Sequence, residues 1–465
     1  MTFAEAHNIY CIGIGGIGMS ALAQILHAQG KRVAGSDCAD SQILSKLRSL
    51  GMTLHVPEAS QHITQNVDLV IYSSAVPEEH EERQQARALA IPELSYTQAL
   101  SELMRTYQVG TNIAGTNGKS TTTALIGLLA QRAGFDPTVV VGTLVKEWKS
   151  NARLGNNKQF LIAEACEHQS NFLSFDPQVI VLTNIEEDHL DYYHNLPNII
   201  NAFQRYIDKL PKHGWLVYNT DDSVSREKLI LPKAQIRTYG IHHPADVMAR
   251  SIVTLSGEQS FELWVGENYV EDFVLRVPGA FNISNALAAI TWGILFGIKK
   301  DTMQSVFKDF SGTWRRFEIL GTWKDARIIS DYAHHPTAVT ATIQATREFY
   351  PNNRIVVVFQ PHQKHRTQVL FNKFVRSLKA ADLVILPEIY YVAGREGNIH
   401  ISSKDIARAL EAEQEKDQKP EKKFWYAKNL QETQKLMEHY VQKDDIVLMM
   451  GAGDIYTLAE SLVIH

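Results

Sequence analysis

The sequence Ala114-Gly115-Thr116-Asn117-Gly118-Lys119-Ser120-Thr121 lies between an apolar run at Val109–Ala114 and a helical pattern at Thr121–Arg132. A strand, a glycine turn with Gly-Lys-Ser and a helix, in this order, form a phosphate-binding loop. The backbone N–H groups of such a loop surround the phosphates, the lysine contacts the β- and γ-phosphates, and the serine binds Mg²⁺. Because Ile113 stands where the common nucleotide loop has its first glycine, this loop is a shorter variant. The pattern predicts that Lys119 and Ser120 bind ATP and Mg²⁺.

A second glycine loop lies near the start of the chain. An apolar strand at Asn8–Ile12 runs into Gly13-Ile14-Gly15-Gly16-Ile17-Gly18, and a helix at Met19–Gln29 and a strand at Arg32–Ser36 follow. With Asp37 after this strand, the pattern matches the dinucleotide fingerprint, in which glycines bring a diphosphate close to a helix N-terminus. The fingerprint does not distinguish NAD from another nucleotide diphosphate. A Rossmann-type oxidoreductase therefore stays open as an alternative at this point.

Strands and helices alternate along the rest of the chain, which predicts an α/β fold with largely parallel sheets. Further strands are predicted at Phe160–Glu164, Val179–Thr183, Gly214–Asn219, Arg327–Ser330, Arg354–Phe359, Asp382–Leu386 and Ile446–Met450. An antiparallel insertion is predicted at Asp246–Val277, followed by a helix at Ser284–Phe296. The 465 residues suffice for three domains. We predict them at residues 1–105, 106–320 and 321–465.

The composition excludes several classes of protein. A net charge of −5 argues against a general nucleic-acid binder, which needs a basic surface to displace counterions. The three cysteines form no CxxC pair, so neither a disulfide framework nor a cysteine zinc site is expected, and a reducing cytoplasm fits best. The apolar segment Ile9–Leu26 is interrupted by glycines and no lysine or arginine precedes Lys31. We therefore expect no targeting segment and no membrane span.

Further motifs follow the phosphate loop in a fixed order. They are Ala163-Glu164-Ala165-Cys166-Glu167, Thr183–Asp191 with His189, Gly279–Ala286, Phe310-Ser311-Gly312 with Arg315-Arg316-Phe317-Glu318, Asp331–Pro336, and Phe359-Gln360-Pro361-His362 with Arg366-Thr367. Together with Gly115–Ser120 they resemble the motifs of the Mur ligase family, over essentially the whole chain. The resemblance implies three α/β domains: a Rossmann-like UDP-binding domain, a P-loop-type central ATPase domain and a Rossmann-like C-terminal domain.

The resemblance also implies roles for individual residues. The expected ATP-binding residues are Gly115, Thr116, Asn117, Gly118, Lys119, Ser120, Thr121, Asn282, Asn285, Arg316 and Asp331. The expected Mg²⁺ ligands are Ser120, Glu164 and His189. The expected UDP-sugar-binding residues are Gly15, Gly16, Ile17, Gly18, Met19, Ser36, Asp37, Ser73, Ser74 and Ala75. The expected amino-acid-binding residues are Tyr332, His334 and Arg366, and the catalytic set is Lys119, Glu164, His189, His334 and Arg366.

Within the family, the first domain resembles that of the members that add L-alanine. Asn201–Arg205 contains no lysine, whereas members that add later residues carry one in this region. Arg366 favours a free amino acid, whose carboxylate would pair with the guanidinium. The resemblance therefore implies a cytoplasmic, ADP-forming ligase of peptidoglycan synthesis that joins L-alanine to UDP-N-acetylmuramate through an acyl-phosphate. Its expected partners are these small molecules and ATP, without nucleic acid or membrane, and it is expected to be a monomer or weak homodimer.

Three positions depart from the family pattern and leave alternatives open. Phe281 replaces a histidine near adenine, His168 replaces a common serine, and Gln363 stands where many alanine ligases have a second arginine. Because Gln363 leaves Arg366 with less cationic help, glycine and L-serine remain conceivable substrates. The nearest competing activity is a recycling ligase that attaches a whole tripeptide to UDP-N-acetylmuramate. A catalytically inactive nucleotide-binding regulator is disfavoured by the intact set of Lys119, Glu164 and His189.

Overall fold

The structure, a computed structural model, describes residues 2–255, 257–391, 400–417 and 423–463. The chain forms two compact units. The first comprises Met1–Met248, Trp264–Asn268 and Ser284–Val306, and the second comprises Ala249–Leu263, Tyr269–Ile283 and Phe307–His465. This division does not test the predicted limits of the three domains, which stay predictions.

The first unit begins with a five-stranded parallel sheet. Its strands are β1 (Asn8–Ile12), β2 (Arg32–Ser36), β3 (Thr53–His55), β4 (Leu69–Tyr72) and β5 (Glu93–Ser95), in the order β3-β2-β1-β4-β5. The helices are α1 (Ile17–Ala28), α2 (Gln42–Ser49), α3 (Glu81–Ala88) and α4 (Tyr96–Arg105), with a 3-10 turn at Ser60–His62. The predicted strands β1 and β2 are confirmed at both ends. The strand order reverses between β1 and β4, and such a switch point is where open α/β sheets bind ligands.

A second sheet of the first unit has the order β13-β12-β11-β10-β6-β9-β7-β8, and all these strand pairs are parallel except β7 with β8. The strands are β6 (Val109–Ala114), β7 (Thr138–Val145), β8 (Ser150–Arg153), β9 (Phe160–Glu164), β10 (Val179–Leu182), β11 (Trp215–Asn219), β12 (Gln235–Gly240) and β13 (Val247–Leu255). The helices are α5 (Lys119–Arg132), α6 (Leu190–Tyr193), α7 (Leu196–Ile207), α8 (Ser223–Glu227), α9 (Ala280–Leu295) and α10 (Lys300–Asp309), with 3-10 turns at Lys146–Trp148 and His168–Ser174. The predicted strand Phe160–Glu164 is confirmed, whereas β7 and β8 were not predicted.

The second unit contains a six-stranded sheet in the order β16-β17-β21-β18-β19-β20, with β16 antiparallel to β17 and the other pairs parallel. Its strands are β16 (Glu318–Trp323), β17 (Ala326–Asp331), β18 (Ile355–Phe359), β19 (Leu383–Pro387), β20 (Lys423–Ala427) and β21 (Ile446–Met450). Its helices are α11 (Pro336–Phe349), α12 (Lys364–Val369), α13 (Phe371–Leu378), α14 (Ser403–Asp417), α15 (Leu430–Tyr440) and α16 (Ile455–Val463). The insertion predicted at Asp246–Val277 contains β13 and two further strands, β14 (Glu258–Val265) and β15 (Asn268–Leu275), in the order β15-β14-β13.

The central strands are continuous apolar runs. Every residue of β10, β18, β19 and β21 is buried. Parallel strands covered by helices on both faces lose the alternation of apolar and polar residues that half-exposed strands show. These runs therefore form the cores of the sheets. The polar residues lie at the ends of the strands, where they can contact ligands.

The described helices are short compared with a bilayer. α9, with 16 residues, is the longest within the described part of the chain. A helix needs about 20 apolar residues to cross a membrane. Over the residues that the structure describes, no helix meets this requirement.

Candidate active site

The phosphate loop connects β6 to α5 and depends on two glycines. Gly115 and Gly118 have φ angles of +131° and +83°, which favour glycine. A Cβ atom on Gly115 would lie 2.1 Å from Thr183 Oγ1, and one on Gly118 would lie 2.4 Å from Asn285 Oδ1. The loop therefore packs too closely against its neighbours to accept a side chain at either glycine.

Polar residues that follow β10 hold this loop in place. Asn117 N donates to Asn184 Oδ1 at 2.9 Å, and Thr183 Oγ1 donates to Asn117 O at 2.6 Å. Glu186 N donates to Thr116 Oγ1 at 2.9 Å. The motif around residue 115 is thus hydrogen-bonded to the motif around residue 184. These hydrogen bonds hold the phosphate loop in its conformation before any ligand binds.

Lys119, the first residue of α5, forms an ion pair with Glu167. Its Nζ lies 2.9 Å from Glu167 Oε2 and 3.1 Å from Oε1, and it also donates to the carbonyl oxygens of Gly115 and Thr116. Burial is the largest single influence and acts to lower the pKa of Lys119, but the combined attraction of Glu167 and its neighbours, Glu164 among them, outweighs it, so the pKa is raised and the ammonium group stays charged. Glu167 was not among the predicted site residues, although it belongs to the motif that ends β9.

Ser120 and Glu164 form an oxygen pair beside the loop. Ser120 Oγ donates to Glu164 Oε2 at 3.1 Å, and Gly142 N donates to Oε1 of the same carboxylate. Ser120 is buried and Glu164 is half-buried. A hydroxyl and a carboxylate oxygen at this separation are hard donors of the kind that Mg²⁺ prefers.

His189 reaches the same region from the segment after β10. Its Nε2 lies 4.0 Å from Glu167 Oε1 and 3.9 Å from Asp188 Oδ2. The residue has a φ of +51°, which is rare outside glycine and concentrates at functional sites. Its ring lies against that of His168, with the centroids 4.7 Å apart. The structure therefore brings the predicted residues Lys119 and His189 close to the same carboxylate, that of Glu167.

Asn285 belongs to the same group of residues. Thr122 Oγ1 donates to Asn285 Oδ1 at 3.3 Å, and the amide lies against Gly118. The predicted ATP-binding residues Gly115–Thr121 and Asn285 are thus brought together within the first unit.

The first glycine loop lies at the carboxyl end of β1. Gly15 N donates to Asp37 Oδ2 at 2.8 Å, and Gly13 N donates to Ser36 O at 2.9 Å. A Cβ atom on Gly13 would lie 3.1 Å from Ser73 Cβ. The predicted residues after β1, β2 and β4 therefore meet at one edge of the sheet, with Ser74 and Ala75 exposed beside them. Gly16 is the N-cap of α1, and it offers the helix no capping side chain. The predicted residues Ile17, Gly18 and Met19 form the first turn of α1.

Two of these predicted residues have buried side chains that the fold already uses. Ser36 is 0% exposed, and its Oγ donates to Glu82 Oε2 at 2.5 Å. Met19 is 3% exposed and packs in the core. Either residue can therefore meet a ligand only through its backbone in this arrangement.

Glu58, His80 and Glu82 form a polar cluster near Ser36, with possible ligand atoms all within 4.8 Å of one another. Glu82 is fully buried and accepts hydrogen bonds from Tyr10 Oη at 2.9 Å and from Ala59 N at 3.3 Å in addition to that of Ser36. Because both oxygens of Glu82 already accept hydrogen bonds from the protein, this cluster is a structural network that joins β1 and β2 to α3.

In the second unit, residues after β17 surround an arginine pair. Arg316 lies over the ring of Tyr332, with 4.8 Å from its Cζ to the ring centroid. Arg315 is buried and donates to Gly451 O at 2.6 Å and Gly453 O at 3.1 Å. Asp331 accepts hydrogen bonds from Phe317 N and Ala333 N, each at 2.7 Å. Arg315 and Asp331 thus shape the loop, whereas Arg316 is half-buried at its surface.

Asn282 is also engaged within the second unit. Its Nδ2 donates to Pro278 O at 2.7 Å, and the side chain is 7% exposed. The neighbouring Phe281, one of the three departures from the family pattern, is 36% exposed and lies against Gly279. An aromatic face at this position can pack on a base but cannot accept or donate a conventional hydrogen bond.

The predicted amino-acid residues Tyr332 and His334 contact each other. His334 Nδ1 lies 2.9 Å from Tyr332 O, and the His334 ring centroid lies 6.2 Å from that of His362. His362 in turn stacks on Tyr390 at 5.5 Å. Arg366 is half-buried on α12, which begins directly after Gln363. Gln363, which directly follows His362 in the chain, is 8% exposed and has a φ of +68°, so its backbone conformation is strained.

Family models match three consecutive segments of the chain. They are described as the Mur ligase family catalytic domain at residues 8–108, the Mur ligase middle domain at 113–293, and the Mur ligase glutamate ligase domain at 315–453. The chain belongs to the Mur ligase family. The three-domain architecture expected from the sequence is confirmed for this Mur ligase.

Curated relatives and solved structures agree with this membership. The chain is 35% identical to the UDP-N-acetylmuramate–L-alanine ligase of Caldanaerobacter subterraneus subsp. tengcongensis, over 98% of this chain and 97% of that protein. It is 36% identical to the ligase of the same name from Alkaliphilus metalliredigens, over 99% and 97% of the two chains. The crystal structure of UDP-N-acetylmuramate–alanine ligase from Thermotoga maritima superposes with a TM-score of 0.83 and 26% identity, covering 98% of each chain. A murein peptide ligase from Psychrobacter arcticus shares the fold, with a TM-score of 0.69 and 20% identity over 99% of this Mur ligase and 100% of that chain.

Proposed function

We propose that this Mur ligase joins L-alanine to the carboxylate of UDP-N-acetylmuramate with hydrolysis of ATP to ADP and phosphate. Full-length identity of 35% to ligases with this name supports the proposal. The observation that carries it is the group formed by Lys119, Glu167, Ser120 and Glu164 at the phosphate loop. This group is suited to a triphosphate that carries a metal ion, whereas a nicotinamide oxidoreductase would have no use for it.

The reaction that we propose has two chemical steps. The carboxylate of the sugar nucleotide attacks the γ-phosphorus of ATP, the bond to the bridging oxygen breaks, and ADP leaves. The amine of L-alanine then attacks the carbonyl carbon of the acyl-phosphate, an amide bond forms, and phosphate and a proton are released. Both steps bring negatively charged oxygens close together, so the site must supply positive charge.

Lys119 supplies part of that charge. In the structure its ammonium group is held by Glu167 and by carbonyl oxygens of the loop. Nucleotide binding would exchange some of these partners for phosphate oxygens. The contacts of Lys119 thus keep the ammonium group charged and near the loop before ATP arrives.

The residues also fit Mg²⁺. Ser120 and Glu164 provide oxygen donors 3.1 Å apart, and His189 Nε2 lies 4.0 Å from Oε1 of the nearby Glu167. Mg²⁺ bound by Ser120, Glu164 and His189 would offset the charge of the triphosphate and the attacking carboxylate. We assign the contacts to the amino acid to Tyr332, His334 and Arg366 of the second unit.

We further propose that the reaction takes place in the cytoplasm, where ATP and sugar nucleotides are available. All three cysteines are unpaired, which fits a reducing compartment. We expect small-molecule partners only, without nucleic acid or membrane, and a monomer or weak homodimer.

The test is phosphate release by the purified protein with ATP, Mg²⁺ and UDP-N-acetylmuramate, comparing L-alanine, glycine, L-serine and the wall tripeptide. We expect release with L-alanine to exceed release with the other three. Release with the tripeptide alone would instead make this protein a recycling ligase. Absence of release with all four would contradict the proposed function.

Replacing Arg366 with glutamine is expected to raise the KM for L-alanine by roughly 10- to 100-fold, because a charge-assisted hydrogen bond to the amino-acid carboxylate is lost. The KM values for ATP and UDP-N-acetylmuramate should change little. Steady-state phosphate release with each substrate varied in turn measures these values. Arg376→Gln, at an exposed position on α13, is the matched control and should behave as the wild type. An unchanged KM for L-alanine in Arg366→Gln would remove Arg366 from the amino-acid site.

A further inference from the structure

Tyr96 occupies a fixed position at the start of α4, directly after β5. The preceding Ser95 forms a capping box with Gln98. Gln98 N donates to Ser95 Oγ at 3.3 Å, and Ser95 N donates to Gln98 Oε1 at 2.8 Å. Such a box fixes the direction in which the chain enters a helix. The Tyr96 side chain therefore leaves the first turn of α4 in a defined direction.

That direction places the phenol against the first glycine loop. A Cβ atom on Gly18 would lie 2.7 Å from Tyr96 Cζ and 2.8 Å from its hydroxyl oxygen. Gly18 is in the first turn of α1, where backbone N–H groups lack partners within the helix and attract anions. The hydroxyl of Tyr96 thus lies at the same helix end as the proposed diphosphate.

The hydroxyl is a donor that the described protein does not use. No hydrogen bond joins it to any residue in the part of the chain that the structure describes. Burial, and then the charges of Glu164 and Cys166, raise the pKa of Tyr96. The phenol therefore stays protonated, and it lies within electrostatic reach of the carboxylate at the end of β9. Tyr96 is half-buried, and its hydroxyl is not among the buried polar atoms that lack a partner in the described chain, so it remains open to a ligand oxygen.

The glycine loop is also held from its other side. Asn151 of β8 donates through Nδ2 to Ile17 O at 2.5 Å and to Ser20 Oγ at 2.9 Å. Gln24 Nε2 donates to Asn151 Oδ1 at 2.9 Å. With the loop fixed by Asn151, the separation between the Tyr96 hydroxyl and an anion at the start of α1 is set before the ligand binds.

We propose that the Tyr96 hydroxyl donates a hydrogen bond to the diphosphate of the bound sugar nucleotide. This inference rests on the proposed function, because it requires that the first glycine loop binds UDP-N-acetylmuramate. It adds a side-chain contact to the backbone contacts that the glycine loop offers. It also explains why position 18 is glycine, since a side chain there would displace the phenol.

The test replaces Tyr96 with phenylalanine, which removes only the hydroxyl group and keeps the ring against Gly18. Calorimetric titrations of UDP and of UDP-N-acetylmuramate, without ATP, measure the binding. We expect Tyr96→Phe to weaken both ligands by about 10- to 100-fold, as for a hydrogen bond to a charged group. The KM for ATP should stay within about twofold, because the hydroxyl is assigned to a different loop from the one that is proposed to bind ATP.

Tyr107→Phe is the matched control. Its hydroxyl donates to Thr138 Oγ1 at 2.9 Å, outside the glycine loop, so this variant should bind both ligands as the wild type does. Thermal unfolding of both variants shows whether they are folded, and the retained ring should keep the Tyr96→Phe melting temperature close to that of the wild type.

Three other outcomes would contradict either this proposal or the proposed function. Wild-type affinity of Tyr96→Phe for both ligands overturns the proposal while leaving the proposed function intact. Weaker binding of UDP-N-acetylmuramate with unchanged binding of UDP also overturns it, because the contact would then be to the sugar or its carboxylate. Failure of the wild type to bind either ligand would contradict the proposed function itself.

Discussion

Lys119→Ala should reduce ATP-dependent phosphate release by about a thousandfold while leaving the binding of UDP-N-acetylmuramate unchanged. In the proposed reaction the ammonium group is the cation that the phosphate loop offers to the transferred phosphoryl group, and removing one such stabilising group typically costs about 10² to 10³ in kcat. The sugar nucleotide is assigned to a different loop, so its affinity measures folding and binding independently of turnover. Single-turnover phosphate release and calorimetry with UDP-N-acetylmuramate are the two measurements.

The same substitution should also destabilise the fold. The side chains of Lys119 and Glu167 are 15% and 4% exposed, so removing the lysine leaves a buried carboxylate without its cation. We expect a loss of about 3 kcal/mol in the free energy of unfolding. The double variant Lys119→Ala/Glu167→Gln should recover most of this stability without recovering turnover.

A surface lysine provides the control for Lys119. Lys212→Ala changes an exposed lysine of the same unit and should retain full activity. Phosphate release by Lys119→Ala within tenfold of the wild type would contradict the role of this loop. Recovery of turnover in the double variant would instead show that the defect was one of folding.

Glu164→Gln should raise the Mg²⁺ concentration needed for half-maximal activity by about a hundredfold. The amide keeps the shape of the side chain but removes the charge that a hard cation requires. Ser120 and Gly142 both donate to this carboxylate, and an amide nitrogen in place of one oxygen would face one of these donors. A titration of phosphate release against Mg²⁺ concentration measures the shift.

Dependence on the metal distinguishes this role from a structural one. High Mg²⁺ concentration should restore part of the activity of Glu164→Gln, whereas a folding defect would not respond to the metal. Glu227→Gln, whose side chain is 54% exposed, is the control and should keep the wild-type dependence. An unchanged requirement for Mg²⁺ in Glu164→Gln would exclude this carboxylate as a metal ligand.

Sequence analysis predicted correctly those strands whose apolar pattern along the chain matches their burial in the folded protein. The apolar runs of β1, β9 and β21 were predicted at the residues where they occur, because buried parallel strands are apolar throughout. β7 and β8 were not predicted. They form an antiparallel pair beside β9, and register shifts between Val140 and Val145 interrupt the pairing. A period-2 pattern is hard to recognise in a strand with such an irregularity.

For the site, sequence motifs predicted the positions but not the partners of the side chains. Ser36 and Asp331 were predicted to face ligands, yet Glu82 and two backbone N–H groups occupy their oxygens. The contacts of Glu167 with Lys119 and of Tyr96 with Gly18 were not predicted for a related reason. The partners are distant in the sequence and meet only in the folded chain.

The hydrogen bonds of Asn151 connect the two nucleotide loops of the first unit. β8, which carries Asn151, pairs with β7, and Gly142 of β7 donates to Glu164. A displacement of Glu164 would therefore reach Ile17 through two hydrogen-bonded strands. If ATP changes the affinity for the sugar nucleotide by this route, the sugar nucleotide must change the affinity for ATP by the same factor, since thermodynamic coupling between two sites is reciprocal. The order in which the two substrates bind would then depend on the hydrogen bonds of Asn151 as well as on the two glycine loops.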